Sequence, residues 1–189
     1  MSAIVARHRL TGRAGGSTER LVEAGGYGYA HSCVTSENFP VRSPDGAAPA
    51  RDVVLLAFDG AVTAAEVLAE AARLGLERPS YEDALRFGVE HPAVQREHPL
   101  VFLHEPWVGY FGRRDVLCLW ANAGRRELGL EGFDDTWDPT HRFAFIGRAE
   151  SSAPPAADGA ASTVARADIG SAALASRAPL PSASRPIPR

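Results

Sequence analysis

Val53-Val54-Leu55-Leu56-Ala57-Phe58 is the stretch that most restricts how this chain can fold. Successive side chains of a strand point to opposite faces, so an unbroken apolar run cannot sit with one face in water. Bounded by Asp52 and by Asp59-Gly60, the run predicts a central strand covered on both faces.

A helix is expected directly after it. Thr63 stands three residues before Glu66, the spacing of a capping box, and Val67, Leu68, Ala71, Ala72 and Leu74 then form an apolar stripe that stops at Gly75. Ser80 is placed to cap a second helix, with Asp83 at its third position and Tyr81, Ala84, Leu85 and Val89 on one side, closing at His91-Pro92. Pro92 can start a further short turn through Glu97. Beyond Pro99 the period changes: Leu100–Leu103, Val116–Trp120, Glu127–Leu130 and Arg142–Ile146 are short runs separated by Gly-, Asn- and Asp-containing segments, the spacing of an antiparallel meander. Helices followed by hairpins predict an α+β domain, with two to three short helices packed on a small, mainly antiparallel sheet of about five strands.

The flanks read differently. Ser151 to Arg189 is dominated by Ala, Ser and Pro and has no aromatic residue, so little in it can offset the entropy lost on ordering a backbone. The expected organisation is a flexible N-terminus over 1–16, a partly ordered extension over 17–50, the globular domain over 51–148 and a disordered tail over 149–189. Within the extension, Tyr27 and Tyr29 alternate with Gly28 and Ala30 as a strand would, and Asn38-Phe39-Pro40 reads as a turn.

A net charge of −3 argues against a broad footprint for nucleic acid or an anionic membrane. All 20 basic residues are Arg, alongside abundant Ala and Gly, which fits the codon bias of a GC-rich genome. Cys33 and Cys118 are too few for a disulfide framework, and no apolar run reaches the roughly 18–20 residues of a membrane span. A cytoplasmic protein with no membrane and no nucleic-acid partner is expected. Neither of the Gly-rich stretches, 12–16 and 25–28, has the Lys or the strand-to-helix setting of a phosphate-cradling loop.

Three phrases, AGGYGYAHSCVTSENFP over Ala24–Pro40, GLERPSYEDALRFGVEHPAVQREHPLVFL over Gly75–Leu103 and RRELGLEGFDDTWDPTHRFAFIGR over Arg125–Arg148, resemble a family of small uncharacterised bacterial proteins. In that family the middle phrase looks like GLxPAxxEELLxLGxxHPxLQRxFPIVALGS. The chain departs from it at His104-Glu105, where Gly-Ser is usual, and at Cys118, usually an apolar or aromatic position. The resemblance carries no established activity, so it implies a neighbourhood and no chemistry.

Candidate chemistry is sparse. His91, His98, His104 and Glu105 are dense in possible ligands, but spacings of seven and six residues match no familiar zinc signature, and no metal or cofactor is expected. Phe133-Asp134-Asp135-Thr136-Trp137-Asp138-Pro139 gathers three carboxylates, best read as a turn whose Asp side chains bond backbone N–H groups above packed aromatics. Cys33 beside Ser32 and His31 lacks evidence of a spatial base, and Cys118 reads as a small buried hydrophobe. Trp107, Tyr110 and Arg113 fall in one loop and Trp137 in a later one, residue types that favour binding surfaces.

The leading expectation is a non-enzymatic module that binds an unknown protein or small ligand through Trp107, Tyr110, Arg113 and Trp137, with those aromatics partly exposed on one face. The alternative is a hydrolase-type enzyme using Asp134, Asp135 or His104 as general base or metal ligand, which requires at least two of these side chains to meet in one pocket.

Overall fold

The computed structural model describes residues 1–42 and 49–147. The elements are β1 (Ser2–Leu10), α1 (Thr18–Gly25), β2 (Tyr29–Ala30), β3 (Arg51–Phe58), β4 (Val62–Thr63), α2 (Ala64–Arg73), α3 (Tyr81–Glu90), β5 (Leu100–Phe102), β6 (Trp107–Val108), β7 (Arg114–Asn122), β8 (Arg125–Gly132), β9 (Thr136–Trp137) and β10 (Arg142–Gly147). One-turn 3-10 helices occupy Val94–Arg96 and Tyr110–Gly112. The expected tail over 149–189 lies outside the described residues.

The apolar run forms the heart of β3, whose Val53, Val54, Leu55 and Leu56 are all buried. Its two sides serve two separate cores, because strand side chains alternate. Val53 and Leu55 join Leu85 and Phe87 of α3, Leu21 of α1, and Phe39 on one face. Val54 and Leu56 join Val67 and Ala71 of α2, Phe143, Phe145 and Trp137 on the other. Both helices expected from their caps are present, each with a reciprocal capping box: Thr63 with Glu66 on α2, Ser80 with Asp83 on α3.

The expectation of a small, mainly antiparallel sheet of about five strands is overturned. Eight strands make one mixed sheet in the order β1-β3-β10-β5-β7-β8-β2, with β6 paired to β7, and β4 and β9 form a separate two-stranded ribbon. The meander fails at its last strand. β10 does not lie beside β8 but inserts between β3 and β5, antiparallel to β3 and parallel to β5. The short β2 adds a second parallel pair, against β8.

Residues 1–16, expected as a flexible N-terminus, contain the nine-residue edge strand β1, which pairs antiparallel with β3 along its length apart from a register shift between Ile4 and Ala6. The segment expected as an extension supplies α1, capped by the Ser17 side chain and ended by Gly26 in the left-handed region that glycine adopts without strain.

Candidate ligand-binding pocket

At the N-terminal end of α3, a cavity of about 290 Å³ is lined among the described residues by Arg42, Arg51, Arg78 and Arg86, by the carboxylates Glu82 and Asp83, and by Leu10, Gly12, Pro49, Pro79 and Ser80. The capping box builds one wall, since the Ser80 N–H and hydroxyl both donate to Asp83 Oδ2, at 2.8 and 2.7 Å. Arg51, from the start of β3, reaches the same oxygen at 3.4 Å. Arg78 is spent on its surroundings: it donates to the carbonyls of Leu103 and His104 and to Glu105 Oε2.

Arg86 is the unusual group. Its side chain is 2% exposed, and Nη1 donates to the carbonyls of Gly12 and Ala14. Its Nε and Nη2 have no hydrogen-bond partner among the described residues. Glu82 Oε2 lies 3.6 Å from Nη2, close enough to balance charge but too far for a hydrogen bond. A buried guanidinium with two idle nitrogens is costly unless something else supplies acceptors.

A second cavity, of about 270 Å³, lies between β1 and the 3-10 turn at 94–96, lined mainly by Val5, Ala6, Leu55, Val94 and Leu100 with His8 and Glu97 among them. Among the described residues of its lining, the idle buried polar atom is His8 Nε2. Burial, and then neighbouring His91, hold the His8 pKa below its ordinary value.

No protein-family model, curated protein or solved structure matches this chain.

Of the residues singled out from sequence, Trp107, Tyr110 and Arg113 share the β6–β7 hairpin, where Trp107 pairs in register with Asp115, and Trp137 lies elsewhere. Trp137 is 3% exposed in the α2-side core, edge-on to Phe143, with ring centres 5.6 Å apart. Trp107 packs on the opposite face of the sheet, against Phe39. The two tryptophans therefore do not share a surface. Arg113 is exposed and held between Asp115, at 2.8 Å, and Asp135, at 3.7 Å. Tyr110 opens a 3-10 turn, and its side chain lies outside the described residues. The next residue, Phe111, is fully exposed, and its φ of 67° is in the left-handed region.

Nor do the candidate bases meet. His104 is 1% exposed and fully used: Nε2 accepts the Leu117 N–H at 2.9 Å, and Nδ1 donates to the Glu105 carbonyl at 2.7 Å. Burial lowers its pKa to about 4, so it is neutral at pH 7. Asp134 is clamped by Arg114, which holds its carboxyl below the ordinary range. Asp138 accepts from the N–H and hydroxyl of Thr140, the turn role expected for it. Among the described residues no three His, Cys, Asp or Glu side chains converge as a metal site would require. Burial pushes the Cys118 thiol well up, away from the reactive thiolate. No described helix is long and apolar enough to cross a membrane.

Sequence reading missed Arg51 and Arg86. The only cue was Glu82 and Arg86 four residues apart on a helix, which reads equally well as an exposed ion pair. That the arginine turns inward depends on Gly12 and Ala14, more than 70 residues away, whose carbonyls receive it.

Proposed function

We propose that this protein is a non-enzymatic binding module, and that its ligand is a small anionic molecule held in the pocket at the start of α3. The observation that carries the reading is the buried Arg86 guanidinium, two of whose nitrogens lack partners, lining a cavity that also presents Arg51 and the positive end of a helix dipole. The binding surface moves accordingly from the loops of Trp107, Tyr110, Arg113 and Trp137 to this pocket. A hydrolase reading finds less support, because His104, Asp134 and Asp135 each serve a separate local contact.

The test is an amide-shift titration of the full chain with sodium phosphate and with small sodium carboxylates. Saturable shifts confined to residues 78–86 and 51, weakened about tenfold by Arg51→Gln, are expected for loss of one charge-assisted contact. Shifts spread over the surface, or equal affinity in the variant, would overturn the assignment of the pocket.

A further inference from the structure

Resting on that reading, we propose that the anion is a carboxylate, gripped by the Nε–Nη2 edge of Arg86 in the place that Glu82 only half fills. The Nε and Nη2 donors of a guanidinium run parallel and match the two oxygens of a carboxylate. Among the described residues that match occurs twice on the surface. Arg73 gives Nε and Nη2 to the two oxygens of Glu70 at 2.7 and 2.8 Å, and Arg114 holds Asp134 through the same two atoms. In Arg86 the same edge is unpaired, while the far nitrogen is already anchored on backbone carbonyls. The fork is therefore oriented before any ligand arrives.

Glu82 fails to close it for a geometric reason. Its Oε1 is committed to the backbone N–H of Arg42, at 2.6 Å, which leaves Oε2 stranded 3.6 Å from Nη2. Both idle nitrogens of Arg86 are shut off from solvent, so a ligand reaches them as the Glu82 side chain moves aside. Glu82 then acts as a resident competitor.

The charge carried by the described lining suits a monoanion. The four lining arginines face Glu82 and Asp83 in the pocket and Glu105 on Arg78, which leaves one uncompensated positive charge among the described residues. A phosphate dianion would exceed that and would meet two carboxylates. Leu10, Pro49 and Pro79 in the lining offer contact to a carbon body, which propionate has and inorganic phosphate lacks.

Titrating the full chain with sodium propionate and with sodium phosphate, in wild type, Glu82→Gln, Arg86→Lys and Arg51→Gln, separates the possibilities. Propionate is expected to bind in preference to phosphate. Glu82→Gln should tighten it about tenfold, because Gln still accepts from Arg42 N–H but no longer competes as an anion. Arg86→Lys, which keeps the charge and loses the fork, should abolish it. If that buried substitution fails to fold by circular dichroism, Glu82→Gln and Arg51→Gln decide. Phosphate binding without propionate would leave the pocket reading standing and overturn the carboxylate. No binding of either anion to wild type or Glu82→Gln would overturn both. Weaker propionate binding in Glu82→Gln, or unchanged binding in a folded Arg86→Lys, would overturn the competitor mechanism.

Discussion

Leu117 donates its backbone N–H to Nε2 of His104 inside the protein, at 2.9 Å. The contact completes a ladder that the strands leave unfinished. β5 pairs with β7 only at Leu100 with Leu119 and at Val101 with Cys118, and the chain then turns away. The imidazole supplies the acceptor that a longer β5 would have offered to Leu117.

This arrangement fixes a pH dependence. Neutral His104 has a folded pKa near 4 against an ordinary value of 6.5, so the unfolded chain binds more protons between those limits. Stability contributed by His104 is fully present above pH 6.5 and is lost as pH falls toward 4, by on the order of 3 kcal/mol at the lower limit. Urea midpoints between pH 7 and 4.5 should show the fall, and His104→Gln should flatten it. An equal slope in the variant would mean that other groups carry the effect.

Gly88 sits within α3 where helix propensity alone favours alanine by about 1 kcal/mol. The Tyr27 hydroxyl occupies the space a Cβ would need there. Gly88→Ala is accordingly expected to destabilise by about 1–3 kcal/mol, the usual cost of overpacking. Chemical denaturation that showed a gain would contradict this packing.

Arg126 is a buried cation with carbonyl rather than carboxylate partners. It donates to the carbonyls of Gly25 and Gly88 and to Gln95 Oε1, and its guanidinium lies 4.8 Å over the Tyr27 ring. It thereby ties α1, α3 and the 94–96 turn to β8. Arg126→Met strands those acceptors and should cost on the order of 3 kcal/mol. Lysine should recover less than half, lacking the planar fork. Equilibrium urea unfolding of the three proteins measures the order, and a fully stable lysine variant would remove the fork from the account.

Trp137→Ala should cost about 3–5 kcal/mol, since it empties a core position between β4 and Phe143, whereas Trp107→Ala, at a half-buried site, should cost distinctly less. Comparable unfolding midpoints for the two would be inconsistent with their placement on opposite faces at different depths.

Local order was legible at several elements whose deciding contacts are close in sequence, although α1, capped locally by Ser17 and ended by Gly26, was not among them. The capping boxes of Thr63 with Glu66 and Ser80 with Asp83 placed α2 and α3, and the unbroken Val53–Phe58 run placed β3, because three-residue spacing and side-chain alternation are local physics. β1 was hidden by Arg7, His8 and Arg9, which interrupt its apolar signal. Such residues are tolerated on an edge strand because half of its surroundings are water.

The chain by itself thus determined where its two-sided strand and its capped helices lie, since each depends on neighbours within a few residues. Strand order, the parallel seat of β10 between β3 and β5, and the inward turn of Arg86 toward Gly12 and Ala14 were decided only in three dimensions. Hydrogen-bond ladders and buried charges are satisfied by whichever groups the folded backbone brings near, and those partners lie tens of residues away.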